Sequence, residues 1–225
     1  MINIAIDGPV GAGKSTVARE CAKRLGIIYV DTGALYRACA LFCVRNNVEI
    51  SPENEAAVAA LLNEKLNLSI TLEEGTQHVI VNGEDVSDDI RTIEISKTAS
   101  AVSALPSVRS YLLDMQRDIA ANNSVIMDGR DIGTVILPNA DLKIFITAKP
   151  EVRAKRRYDE LIAKGAQTTL GEVLVEVNRR DFNDTHRKEA PLKQAPDAIL
   201  IDTSDLDFEQ TVSGVVDLIK DLGKI

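Results

Sequence analysis

Cysteine is scarce in this chain and poorly spaced for structural work: Cys21, Cys39 and Cys43 make an odd count, without Cys-x-x-Cys spacing or a histidine cluster. Neither a disulfide framework nor a zinc centre is indicated. Cys39 and Cys43 share a helix face at i, i+4 and read as small core hydrophobes. Long apolar runs are missing as well. No stretch of about 18 apolar residues offers a membrane span. The chain enters its first strand at once, leaving no room for a signal peptide, so the expected location is the cytoplasm. Basic charge is also in deficit, with 26 lysines and arginines against 34 acidic residues and a net charge of −8. A nucleic-acid polymer needs clustered basic residues to displace its counterions, so this balance argues against such a partner. The deficit is local. Glu49 to Glu94 holds eleven acidic residues against Lys65 and Arg91, which leaves the rest of the chain near neutral and able to accept small polyanions.

What is present begins at the first residues. A strand, Ile2 to Asp7, feeds the turn Gly8-Pro9-Val10-Gly11-Ala12-Gly13-Lys14-Ser15-Thr16, and Val17, Ala18, Cys21, Ala22 and Leu25 continue at helical spacing. Strand, glycine turn and helix are the context in which G-x-x-x-x-G-K-[ST] has a mechanism. Glycines let successive N–H groups turn inward around a phosphate at a helix N-terminus, where the helix dipole also favours negative charge. Lys14 then meets the β- and γ-phosphates, and Ser15 offers its hydroxyl to Mg²⁺. The pattern implies binding of a nucleoside triphosphate.

Beyond it, strands and helices alternate. Ile27 to Asp31 reads as a second buried parallel strand, and Asp31-Thr32-Gly33-Ala34-Leu35-Tyr36-Arg37 opens a helix. Strand ends of this kind face the ligand crevice, which places Asp31 and Arg37 for chemistry. From Glu49 the pattern changes. A helical stretch, Glu53 to Lys65, leads to two runs of period two, Leu66 to Leu72 and Gln77 to Val81, with a turn at Glu73-Glu74-Gly75-Thr76. That is an antiparallel hairpin, so residues 50–95 are expected as an inserted lobe within a core of residues 1–49 and 96–225. His78 reads as a surface strand residue. Pro106 starts a helix, Ser124 to Asp128 is a third core strand, Leu142 to Thr147 a fourth and Ala198 to Asp202 a fifth. The fold class is α/β, a five-stranded parallel sheet with helices on both faces.

Two arginine sets remain. Arg153, Arg156 and Arg157 fall at i, i+3 and i+4 of a helix from Glu151 to Lys164, where they form either a solvated charged face or a cluster over transferring phosphates. Arg180, Asp184 and Arg187 fall at i, i+4 and i+7, a ligand-binding face or a salt-bridge ladder.

The opening loop, Asp31 to Arg37, Asp128-Gly129-Arg130-Asp131-Ile132-Gly133-Thr134, and Arg180-Asp181 through Asp184, Arg187 and Ala190-Pro191-Leu192 together resemble the bacterial cytidylate kinases, nearly end to end. One departure is Thr32, where a serine is common; the hydroxyl is kept. The resemblance implies a P-loop fold of the nucleoside monophosphate kinase type, with strand order 2-3-1-4-5 and a lid at about residues 150–170. It implies phosphorylation of CMP and dCMP by ATP with Mg²⁺, by direct in-line transfer, in a chain expected to be a monomer. It assigns ATP to Gly8, Pro9, Val10, Gly11, Ala12, Gly13, Lys14, Ser15 and Thr16, with Ser15 at the metal. Arg37, Arg130 and Arg187 would hold the CMP phosphate, Arg180 and Asp184 the sugar hydroxyls, and Ser100, Arg109 and Asp131 the cytosine edge. Thr32 and Gly129 complete the substrate set, and Arg153 and Arg157, with Arg156, would belong to the lid. Lys14, Arg130, Arg153 and Arg157 are the expected catalytic group.

Other readings share the first motif: a different small-molecule kinase, or an ATP-binding protein without turnover. A GTP-dependent switch would carry N-K-x-D and D-x-x-G, and neither string occurs.

Overall fold

The computed structural model describes residues 1–73 and 76–224. In chain order they form β1 (Asn3–Asp7), α1 (Lys14–Leu25), β2 (Ile28–Asp31), α2 (Thr32–Arg45), α3 (Glu55–Lys65), β3 (Leu68–Glu73), β4 (Thr76–Val81) and β5 (Glu84–Asp85). Then follow α4 (Ile93–Val102), α5 (Pro106–Asn122), β6 (Val125–Gly129), β7 (Leu142–Thr147), α6 (Pro150–Ala163), α7 (Leu170–His186), β8 (Ile199–Asp202) and α8 (Phe208–Lys220). The five-stranded sheet has the order β2-β6-β1-β7-β8, and β3-β4-β5 form a separate antiparallel sheet. The five-strand order is the one the resemblance implies. The hairpin turn expected at Glu74-Gly75 lies outside the described residues. No described helix is long and apolar enough to cross a membrane.

The chain divides into two compact units, one of residues 2–27 and 124–225, the other of Met1 and residues 28–123. In the first, β1 pairs in parallel with both β6 and β7, and β7 with β8. Ile4, Ala5 and Ile6 of β1 and Val125, Ile126 and Met127 of β6 are all buried, as expected of parallel strands covered on both faces. The register sets Asp7 level with Gly129 on one side and Phe145 on the other, so the loops leaving β1, β6 and β7 emerge at one carboxyl edge. Gly26, in the left-handed region at φ 67°, ends α1 by donating its N–H to the Ala22 carbonyl. A capping box, Thr169 with Glu172, starts α7, and another, Asp207 with Gln210, starts α8. Ala154, Leu161, Val173 and Val177 join α6 to α7, with Val10 packed against them.

In the second unit α2 is largely apolar, with Arg37 and Arg45 its charged residues. Leu35, Ala38, Cys39, Phe42 and Cys43 are buried among Leu62, Leu68, Val79, Val81, Ile90, Ile95, Val102 and Leu112. Burial pushes the thiols of Cys39 and Cys43 up, the latter to about 11, so both stay protonated core groups. His78 lies on β4, its Nδ1 2.8 Å from Asp85 Oδ2.

Candidate active site

The phosphate loop is shaped by what a side chain would strike. A Cβ on Gly8, at φ 146°, would lie 1.9 Å from the Ile146 carbonyl oxygen, and one on Gly11 would lie 3.1 Å from the Arg153 carbonyl. The close approach of β7 and α6 therefore requires glycine at both positions. Gly13, at φ 87°, precedes α1 without a side-chain cap, and no acidic residue occupies the first turn. The first N–H groups of α1 are thus left to an anion. Pro9, Val10 and Ala12 complete the turn, and Thr16 is exposed.

Lys14 is buried, and its ammonium donates to the Pro9 carbonyl at 2.8 Å. Burial, with the nearby charge of Arg130, pushes its pKa down. Asp128, Asp184 and Asp7 supply countercharge to the ammonium, and a phosphate in the loop would add to it. Ser15 Oγ donates to Asp128 Oδ2 at 2.8 Å, which joins α1 to the end of β6. Two hard oxygens side by side, next to a phosphate loop, suit Mg²⁺, which binds through one or two protein oxygens and fills its other positions with phosphate and water. Among the described residues no group of three or more His, Cys, Asp or Glu could hold a metal alone. The donor set therefore fits Mg²⁺ bound together with phosphates.

Past β6 the chain makes one turn of π-helix, Ile132–Ile136, a rare form frequent at functional sites. Asp7 holds this turn, accepting the N–H groups of Ile132 at 2.8 Å and Gly133 at 2.7 Å. Burial raises its carboxyl to about 6. Asp7 entered the sequence reading only as the last residue of a strand, because its partners lie 125 and 126 residues away. Arg130 and Asp131 project from the same segment. Arg130 Nε donates to Asp184 Oδ2 at 2.8 Å, and Arg187 donates to Asp131 Oδ1 at 3.4 Å. Burial opposes ionisation of Asp184, yet Arg130, Arg180 and Arg187 hold its carboxyl below the usual range. Arg130 thus bonds this carboxylate directly, and the charges of Arg180 and Arg187 act on it as well.

Arg187 is not on the helix face that its spacing suggested. α7 stops at His186, and Arg187 is extended at ψ 144°. Its Nε donates to the Ala190 carbonyl at 2.7 Å, while Leu192 N–H returns to the Asp184 carbonyl at 2.7 Å. That turn, with Ala190 at φ 45°, brings Arg187 to Asp131.

The lid arginines also part company. Arg153 is buried, donating to Ala148 O at 2.8 Å, Val10 O at 3.1 Å and Asp181 at 3.0 and 2.6 Å. Arg156 donates to Thr203, at 3.0 Å to the hydroxyl and 2.7 Å to the carbonyl. Arg157 pairs with Glu160 at 3.1 Å, half exposed. One helix stripe sends three guanidinium groups to three sets of partners: Arg153 and Arg156 reach acceptors outside α6, while Arg157 turns back to Glu160 of its own helix.

The remaining expected residues belong to the unit of residues 28–123. Thr32 is buried at the start of α2, where the Asp31 carboxylate accepts the N–H of Ala34. The other Asp31 oxygen accepts from Arg37 at 2.7 Å. The Nε of Arg37 is buried with no hydrogen-bond partner among the described residues. A guanidinium held at one edge and bare at another is a ready anion ligand. Arg109 lies over the Tyr36 ring, 5.7 Å from its centroid, and reaches the Ser103 carbonyl at 3.4 Å. Ser100 is half-buried on α4, and its carbonyl accepts the Ser103 hydroxyl.

The chain is 48% identical over 218 residues to a cytidylate kinase of Carboxydothermus hydrogenoformans, covering 97% of each protein. It is 49% identical over 217 residues to a cytidylate kinase of Caldicellulosiruptor bescii, covering 96% of this chain and 95% of that one. A crystal structure of an uncharacterized protein from Eubacterium ventriosum superposes with a TM-score of 0.52 over 98% of each chain at 14% identity, a likeness of fold alone. The family model for cytidylate kinase matches residues 4–221, which takes in the phosphate loop, the Asp128 to Gly133 segment and the arginines around Asp184, and the chain belongs to the cytidylate kinase family.

Proposed function

We propose that this chain transfers the γ-phosphoryl group of MgATP to CMP and dCMP, giving ADP with CDP or dCDP. As a member of its family the chain is a kinase acting on CMP. The finer reading, with ATP as donor, dCMP as a second acceptor and direct in-line transfer, rests on the chemistry of its residues. The observation that carries it is one unit holding a phosphate loop with Lys14, the Ser15–Asp128 pair, and three arginines whose charges act on Asp184. Both reactants are polyanions, so positioning and charge stabilisation supply most of the catalysis.

In this reading the loop N–H groups and Lys14 hold the β- and γ-phosphates of ATP. Ser15 and Asp128 hold Mg²⁺, which supplies charge neutralisation between the phosphates when bound. Arg37, Arg130 and Arg187 bind the CMP phosphate, and Arg180 and Asp184 bind the sugar hydroxyls. Ser100, Arg109 and Asp131 meet cytosine, and Thr32 and Gly129 complete the substrate set. Arg157 meets the charge that develops in transfer, and Arg153 fixes Val10 of the loop through the bonds described above. Closure of the lid would keep water from competing for the γ-phosphate. The chain acts as a monomer.

ADP release measured with CMP, dCMP, UMP, AMP and GMP tests the proposal. The expected outcome is fastest turnover with CMP and dCMP and loss of activity on chelating Mg²⁺. Faster turnover with AMP or UMP would overturn the substrate reading.

A further inference from the structure

Gln77 lies on β4 and is 8% exposed, unusual for a carboxamide in a short antiparallel hairpin. Its side chain meets a single residue twice. Oε1 accepts the backbone N–H of Asp31 at 2.8 Å, and Nε2 donates to the Asp31 carbonyl at 3.3 Å. A carboxamide carries donor and acceptor side by side, so this contact copies the exchange by which a neighbouring strand holds an edge residue. β2 is an edge strand, and its last residue is Asp31.

Asp31 is where that contact matters. One carboxylate oxygen accepts the Ala34 N–H and starts α2, and the other accepts from Arg37. Gly33 keeps the pair uncrowded, since a Cβ there would stand 3.1 Å from Asp31 Oδ1 and 3.2 Å from Arg37 Nη1. Arg37 then presents a buried Nε that has no hydrogen-bond partner among the described residues. Amide, backbone, carboxylate and guanidinium form a continuous chain from the antiparallel sheet to an arginine.

We infer that Gln77 is a positioning residue for the substrate phosphate: it fixes the backbone of Asp31 and, through the Asp31 carboxylate, the guanidinium of Arg37. This rests on the reading of Arg37 as a ligand of the CMP phosphate. Gln77 acts in the ground state, on binding of the acceptor. It has no part in ATP binding or in the transfer step.

The test measures KM and kcat for both substrates, with CMP binding by calorimetry, in Gln77→Met, Gln77→Glu, Arg37→Ala and His78→Leu. Methionine keeps the stem without the amide. Glutamate keeps the shape but sets a carboxylate oxygen against the Asp31 carbonyl. Both should raise KM and Kd for CMP about 10-fold, with kcat at saturating CMP and KM for ATP within about 2-fold of wild type, the pattern of a ground-state binding loss. His78→Leu removes the adjacent contact to Asp85 without touching Asp31, and should leave KM for CMP within about 2-fold. In an Arg37→Ala background Gln77→Met should add no further loss. If Gln77→Met does not fold, the isosteric Gln77→Glu carries the measurement. Normal CMP binding in the Gln77 variants, with weakened binding in Arg37→Ala, overturns the role of Gln77 and leaves that of Arg37 standing. Normal binding in Arg37→Ala overturns the phosphate reading itself, and the tether with it. An equal loss in His78→Leu would mean general loosening of the hairpin, and also overturns the inference.

Discussion

Ser15 Oγ and Asp128 Oδ2 stand 2.8 Å apart, although 113 residues separate them in the chain. One opens α1 and the other lies near the end of β6, and the parallel register of β1 with β6 brings them to the same edge. The hydroxyl holds the carboxylate beside the phosphate loop, where the proposed Mg²⁺ would bind. Asp128→Asn should therefore raise the Mg²⁺ concentration giving half-maximal rate on the order of 10- to 100-fold, as losses in a metal's supporting shell do. Rates measured against free Mg²⁺ check this, and an unchanged Mg²⁺ dependence would remove Asp128 from the metal site.

Lys14→Met should lower kcat about 100-fold or more, by analogy with the loss of one preorganised donor at the developing charge. Stability should stay within about 1 kcal/mol, because the cost of burying the ammonium offsets its hydrogen bond to Pro9. Steady-state kinetics and urea titration of the same preparation separate the two effects.

The loop glycines should differ in kind. Gly8→Ala places a methyl 1.9 Å from a backbone oxygen of β7, so the loop or the strand must move. A loss of about 3 kcal/mol or more is expected. Gly13→Ala meets no atom within 4 Å and bears only the strain of φ 87°. It should cost about 1–2 kcal/mol. Equal midpoints of unfolding would contradict this ranking.

Asp7 should leave a signature in the pH dependence of stability. Burial raises its carboxyl from 3.8 to about 6, so the folded state binds the proton more tightly than the unfolded state does. The stability this contributes is complete below the unfolded pKa, and it is lost as pH rises through the folded one. Wild type should lose on the order of 1–3 kcal/mol between pH 4 and pH 7 that Asp7→Asn does not lose. Urea titrations of both proteins at the two pH values test this, and parallel profiles would contradict it.

Asp131 is buried and accepts from Arg187, so ordering of the loop and reading of cytosine compete as accounts of it. Cytosine presents an amino donor where uracil presents a carbonyl, and a carboxylate suits only the first. Asp131→Asn should lower kcat/KM for CMP more than for UMP, by about 10-fold or more if the contact is desolvated. Equal losses would assign Asp131 to the loop alone.

Local spacing was enough for the phosphate loop, the alternation of strands and helices, and the start of α2. Glycine, lysine and serine at fixed offsets act on neighbours a few residues away, and a helix or strand repeats its own period. The strand order needed more than periodicity, and came from the resemblance of the motifs taken together. Asp7 was silent in the sequence because its two N–H partners sit beyond β6. Arg153 read as part of a solvated face or of a cluster over phosphates, because periodicity cannot show that Val10, 143 residues earlier, and Asp181, 28 later, would meet its guanidinium. Arg187 looked helical because spacing continues past the point where backbone hydrogen bonds stop. A glutamine in a hairpin carries no signal until β4 is folded beside the end of β2. The sequence by itself determined the glycine turn with its lysine and serine, since backbone freedom and charge there are set within one turn. Which carboxylate holds each arginine was decided only by the tertiary structure, because a guanidinium takes the acceptor that folding brings within 3 Å or so, whatever its distance along the chain.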